Sequence, residues 1–301
     1  MYINKKILLS IFLISGMLIS YILFSSGSET LPVNAAITLE IQAPEIPSSL
    51  TFAGENVPLY EYGIYEKFDN ELISNAYFHS NTIKMMKRAN RWFPVIEPIL
   101  KKNNIPEDFK YLALAESGLQ NVTSPSGAKG FWQFLKKTAQ QYGLEVNKDI
   151  DERYNVLLET QAACDYLQDA HQKLGNWTLA AAAYNAGMDK ITKRLKEQKV
   201  SCYYDLALNT ETSRYLFRIL AIKTILENPQ KYGFRLSPKD FYPPEKYTTI
   251  QIDTSINNLV DFARERHINY RILKNANPWM RSDKLPDKSR KVYSIKIPET
   301  K

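Results

Sequence analysis

Residues 113–134 read ALAESGLQNVTSPSGAKGFWQF. Glu116 ends a short apolar helix in which Phe109, Leu112 and Ala113 fall on the same side, Pro106 occupies the first turn and Gly118 is the stop. A turn of small residues, Gly127, Ala128 and Gly130, permits close backbone approach. It leads into a second helix, expected over 131–142, that opens with Phe131, Trp132 and Gln133 and stops at Gly143. The stretch thus places one carboxyl group among apolar neighbours, with polar groups beside it and an aromatic wall packed nearby. Catalysis on a sugar chain needs such an arrangement. The acid that protonates a leaving oxygen must keep its proton near neutral pH, so its pKa has to rise from about 4.3. Apolar surroundings and the negative end of a helix dipole both push Glu116 that way.

Helical signals continue on both sides. Asn81 can cap a helix through Lys101, which Pro94 and Pro98 should kink or divide. Further helices are expected over 154–174, from Thr178 to Asn185 with Gly187 as breaker, and from Asn209 or Thr210 to Asn228-Pro229. No βαβ alternation appears, so the core is read as all-α or nearly so. From about residue 247 the texture changes. Thr248 to Ile252 alternates like a strand, 259–266 and 270–275 read as two short helices, and Val292 to Ile297 alternates again.

The order of Glu116-Ser117, then Gly130 to Gln133, then Ala182-Ala183-Tyr184-Asn185-Ala186-Gly187 resembles the soluble lytic transglycosylase family, with a layout similar to the membrane-bound lytic murein transglycosylase D group. The resemblance runs from about Arg88 to Leu226. It implies a mainly α fold: a lysozyme-like helical catalytic domain followed by a small C-terminal α+β module that resembles a LysM domain. The LysM match is degenerate, because Asp253-Thr254-Ser255 replaces the usual Gly-Asp-Thr turn. The module is expected either to bind N-acetylglucosamine-containing glycans or to brace the catalytic domain.

The resemblance also implies the chemistry. Glu116 would be the single general acid/base on the bond between N-acetylmuramic acid and N-acetylglucosamine, giving a 1,6-anhydro product without water. Substrate contacts would come from Ser117, Ser124, Gln133, Tyr184, Asn185, Glu211 and Tyr215. Ser117 would also fix the local turn, and Glu211 would hold the site by hydrogen bonds. Leu135 stands where many members carry methionine. Trp132 is read as core in preference to a sugar platform. Ordinary glycosidases need a second carboxylate. Asp149, Asp151, Glu152 and Glu211 are the candidates, and a hydrolytic muramidase using Asp149 or Asp151 is the first alternative. A non-catalytic scaffold that binds peptidoglycan is the second.

The 301 residues are 44% hydrophobic and carry a net charge of +7. That suits an anionic partner, such as a phospholipid surface or an acidic wall polymer. No basic run is interleaved with aromatics as a nucleic-acid groove requires. Cys164 and Cys202 and the scattered His79, His171 and His267 lack metal-ligand spacing, so no metal or cofactor is expected. The two cysteines are read either as one disulfide or as unpaired residues. Lys5 and Lys6 precede an apolar run over 7–24, so residues 1–24 are read as a signal peptide or membrane anchor that places the rest outside the cytoplasm. Cleavage after Gly27 or Ala35 is open, and no cysteine follows for lipid attachment. Residues 25–58, rich in Ser, Pro and Gly, are expected to be a flexible tether. The catalytic domain is then expected over 59–235 and the LysM-like module over 246–298, in an exported protein of the cell envelope with peptidoglycan strands as its partner.

Overall fold

Thr51–Phe52 (β1) and Glu55–Asn56 (β2) form a short antiparallel hairpin. Its two-residue loop, Ala53 and Gly54, has positive φ at both positions, the mirror-image turn whose twist suits a hairpin. Phe52 is fully buried, with its ring edge-on to Phe109 at 5.2 Å. The tether expected through residue 58 therefore ends earlier. From Pro44 the chain belongs to the same unit as the rest, because Phe52 and Val57 insert into the core. The computed structural model describes residues 41–286 and 291–299. The expected signal or anchor at 1–24, and the tether up to residue 40, lie outside them. Among the described residues no helix is long and apolar enough to cross a membrane.

Between the hairpin and the C-terminal module run α1 (Ile64–Tyr77), α2 (His79–Lys102), α3 (Phe109–Ser117), α4 (Lys136–Gln141), α5 (Val156–Leu174), α6 (Trp177–Ala186), α7 (Met188–Gln198) and α8 (Thr210–Glu227). Helix α8 is the hub and packs against α1, α3 and α6. Tyr215, Leu216 and Phe217, and the run from Ile219 to Ile225, are all buried. Asn209 caps it through Thr212 N, as the sequence indicates. Helix α2 runs undivided through Pro94 and Pro98. Both prolines are exposed, on the side opposite the buried Ile96 and Leu100. The carbonyls left without amide donors therefore fall on the wet side.

The second helix of the opening motif is shorter than the periodicity indicates. It covers Lys136–Gln141 instead of 131–142. Residues 129–134 instead form a narrow irregular loop, in which Lys129 and Phe134 exchange backbone hydrogen bonds at 3.1 and 3.0 Å. Gln133 takes φ 52, which no helix allows.

The C-terminal module has the expected strand-helix-helix-strand order. Strand β3 (Tyr247–Ile252) pairs antiparallel with β4 (Tyr293–Pro298), Ile250 opposite Ile295, and α9 (Leu259–Arg264) and α10 (Tyr270–Ala276) lie between them in sequence. Alternate β4 residues Tyr293, Ile295 and Ile297 turn inward onto Leu259, Phe262 and Leu273. Two residues of the helical domain, Ile150 and Tyr154, complete this core. Ile150 and Met280 form a backbone bridge, through Asp151 N to Trp279 O at 2.9 Å and Arg281 N to Asp149 O at 2.8 Å. Lys291 Nζ reaches Glu152 at 2.6 Å, and the Tyr293 hydroxyl donates to Glu145 at 2.8 Å. The module is thus built onto the segment 145–154.

Candidate active site

Helix α3 carries Glu116 in its last turn, and Gly118 closes the helix at φ 60. The Arg88 guanidinium donates to the Gly118 carbonyl and fills the space beside that glycine. It thereby caps a helix end whose last carbonyls would otherwise lack partners. The Glu116 carboxyl opens into a groove of ≈ 520 Å³. Ala115, Phe134 and Tyr184 are its apolar walls, and Ser124, Gln133, Asn185, Glu211, Tyr215 and Arg218 its polar ones.

Burial pushes the Glu116 pKa upward, and this outweighs the hydrogen bond from the Tyr215 hydroxyl and the attraction of Arg218, which favour the carboxylate. Glu211 adds repulsion in the upward direction. Tyr215 and Tyr184 are themselves held protonated, first by burial and then by the nearby Glu116 charge. Both hydroxyls therefore stay donors: Tyr215 to Glu116 Oε1, and Tyr184 to the Trp132 carbonyl at 2.7 Å. The Tyr184 ring packs edge-on against Trp132, Phe134 and Tyr166.

The fold brings most of the residues singled out in the sequence to this groove. Asn185 Nδ2 donates to Glu211 at 3.3 Å, while its oxygen accepts from Thr212 Oγ1 at 2.9 Å, so the start of α8 is tied to the end of α6. Ser124 Oγ accepts the Ala128 amide at 3.0 Å and meets Ser126 Oγ at 2.9 Å. Gln133 donates to the Gly130 carbonyl at 2.7 Å. Ser117 is the exception among the expected contacts. It is buried outside the groove, and its hydroxyl donates to the Phe131 carbonyl at 2.8 Å. It fixes the turn without reaching the cavity. Trp132 is fully buried, with its indole N–H on Thr160 Oγ1 at 2.9 Å, and belongs to the core.

Asp149, Asp151 and Glu152 do not join Glu116, because all three stand on the segment that docks the C-terminal module. Burial raises the Asp151 pKa, but the two hydrogen bonds from Arg153 at 2.8 Å and the Lys129 charge prevail and leave it lowered. Glu152 is taken up by Lys291 and by the Glu145 amide at 2.8 Å. The two cysteines are both free thiols: Cys164 is buried in α5, and Cys202 donates to Asp205 at 3.1 Å. Among the described residues no group of three His, Cys, Asp or Glu is placed to hold a metal ion.

Three site-shaping residues escaped the sequence reading. Arg218 lines the groove one turn beyond Tyr215, a spacing that was available as a signal. Arg88 gave none. Glu159 is fully buried in the first turn of α5, and its oxygens accept the Phe131 amide at 3.1 Å and the Trp132 amide at 3.3 Å. Its signal was an acid on the same helix face as Ala162, Ala163 and Tyr166.

Residues 93–205 match the family described as Transglycosylase SLT domain, and residues 248–301 match the Soluble lytic transglycosylase C-terminal LysM-like domain. Residues 93–205 are thus similar to an SLT domain. The fold is accordingly mainly α and lysozyme-like, with a small LysM-like module at the C-terminus. Membrane-bound lytic murein transglycosylase D of Escherichia coli, in strain K12 and in strain CFT073, is 32% identical over 183 residues. The match covers 59% of this chain and 40% of each relative, so the chain spans well under half the length of those proteins. An inactive mutant of lytic transglycosylase Slt from Pseudomonas aeruginosa, solved by X-ray crystallography, is 18% identical, with a TM-score of 0.39 over 62% of this chain and 37% of that one. Within the matched residues 93–205 lie Glu116, Ser124, Gln133, Tyr184 and Asn185, while Glu211, Tyr215 and Arg218 close the groove from helix α8 beyond them.

Proposed function

We propose that this chain is a peptidoglycan lytic transglycosylase, with Glu116 as its general acid and base. The observation that carries this reading is the Glu116 carboxyl, its pKa raised by burial, opening into a groove beside a tyrosine donor. Protonated Glu116 gives its proton to the oxygen between N-acetylmuramic acid and N-acetylglucosamine, and the C1–O bond breaks. The substrate's own acetamide stabilises the charge at C1. Glu116, now a carboxylate, takes the proton from the muramic acid C6 hydroxyl. That oxygen closes on C1, and the 1,6-anhydro end forms without water. The tyrosine hydrogen bond and Arg218 suit the carboxylate stage, and the buried walls suit the acid stage. The position of Asp149 and Asp151 on the module-docking segment speaks against a muramidase that uses either as base.

The remaining assignments follow from this reading. Ser124, Gln133, Asn185 and Glu211 are the polar contacts to the glycan. The LysM-like module adds affinity for N-acetylglucosamine-containing strands. The apolar segment at 7–24 exports the chain to the cell envelope, cleaved or kept as an anchor. The test is mass spectrometry of muropeptides released from purified peptidoglycan by the full chain and by Glu116→Gln. Products lighter by one water, lost in the variant, are expected. Reducing-end products would replace transglycosylation with hydrolysis, and wall binding without release from the native chain would leave a scaffold.

A further inference from the structure

Glu159 has no cation beside it among the described residues, yet it is fully buried. Burial holds its pKa well above the ordinary range, the Phe131 and Trp132 amides pull the other way, and Asp151 adds repulsion. A buried carboxyl without a cation destabilises a fold, so what it holds matters. It accepts the Phe131 and Trp132 amides, two buried donors in an irregular loop where no neighbouring strand or helix can serve them. The carbonyls of the same two residues are held from other directions, Phe131 O by Ser117 on α3 and Trp132 O by Tyr184 on α6. Thr160, next to Glu159 on α5, takes the Trp132 indole. At Gly130 a methyl group would lie 2.3 Å from Glu159 Oε2 and 1.8 Å from the Arg153 carbonyl, so the loop and the carboxyl are in direct contact.

From this we infer that Glu159 is a positioning residue of the groove: its carboxyl pins the Phe131 and Trp132 peptides, which seat Tyr184 and Gln133 beside Glu116. Without it, two buried amides lose their acceptor, and the loop must shift to find another. Tyr184 donates to that loop and Gln133 belongs to it, so both move with it. A displacement of about 1 Å near reacting atoms lowers rates by roughly 10²-fold. The inference rests on the proposed activity of this groove, but its direct readout does not.

The experiment compares the full chain with Glu159→Ala and Glu159→Gln, at a temperature where circular dichroism shows each variant folded. Backbone hydrogen exchange is read at residues 131 and 132, and turnover and sedimentation are measured with purified insoluble peptidoglycan. In the native chain the two amides should exchange slowly, although they lie in a loop. In Glu159→Ala they should exchange at least tenfold faster. Turnover should fall roughly 10- to 100-fold, with Glu159→Gln intermediate because its amide oxygen restores one acceptor, while the fraction bound to the wall changes less than twofold. Fast exchange in the native chain, or full turnover in a folded Glu159→Ala, overturns the inference. If Glu159→Ala does not fold, the isosteric Gln variant and the native exchange rates decide it. If the native chain releases nothing from peptidoglycan, the functional reading fails, and the exchange data still test what Glu159 holds.

Discussion

Replacing Tyr215 by Phe removes the hydrogen bond that favours the Glu116 carboxylate. The Glu116 pKa should then rise further, and the alkaline limb of the pH–rate profile should move to higher pH, because the first step needs the protonated acid. Arg218→Met should shift it the same way, and Glu211→Gln the opposite way, since Glu211 repels the carboxylate. Initial rates of muropeptide release across pH check the three signs, and Tyr215→Phe should also lower the maximal rate about tenfold, the usual worth of one such hydrogen bond. Glu116→Gln should cut activity by about 10²–10⁴-fold, the usual contribution of a positioned acid/base. The same variant should be more stable than the native chain. A carboxyl whose folded pKa lies above its unfolded value binds more protons when folded, so it destabilises the fold as pH rises past the unfolded value. Gln has no such dependence, so the gain in Tm should be larger at pH 7 than at pH 4, by a few degrees. The apolar setting of Glu116 was legible from its neighbours in sequence. Its partners Tyr215 and Arg218 stand about a hundred residues away, and only packing sets which of the two is within hydrogen-bond reach.

At the level of elements, the hairpin β1–β2 and the loop 129–134 are where local reading failed. Phe52→Ala should destabilise the fold by about 3–5 kcal/mol, as for a buried aromatic in a core. Chemical denaturation checks this, and a value near zero would restore residues 44–58 to a tether. The hairpin was missed because its neighbourhood is rich in Ser and Pro and its strands are two residues each, too short for alternation to show. Gly130→Ala should destabilise by about 2–5 kcal/mol, combining a left-handed φ of +84 with overlap on the Arg153 carbonyl. The aromatic run Phe131-Trp132-Gln133 looks helical in sequence. It is held out of a helix because Glu159, Ser117 and Tyr184 supply the hydrogen bonds that a helix would have made internally. Helix α8 was legible because its cap Asn209 stands directly before an apolar face, and α6 because Gly187 breaks it.

Across the whole molecule, the C-terminal module and the helical domain should unfold together. Ile150 and Tyr154 sit in the module's core, and the segment carrying them also supplies Arg153, whose guanidinium donates to the Gly127 and Phe134 carbonyls at 3.2 and 3.1 Å. Calorimetry of the native chain should show one transition, and a chain ending before residue 247 should melt at least several degrees lower. Two well-separated transitions would show that the bridge between Ile150 and Met280 carries little energy. The domain order, the mainly α class and most groove residues could be read from the sequence, because periodicity, caps and motif spacing are local properties written along the chain. The tertiary structure decided that Ser117 is buried, that Asp149, Asp151 and Glu152 stand on the segment that docks the module, that the cysteines are free, and that Glu159 accepts the amides of the groove loop. Those outcomes depend on which side chains from distant segments meet in low dielectric, where one hydrogen bond or one neighbouring charge sets a residue's role, and no local pattern encodes that meeting.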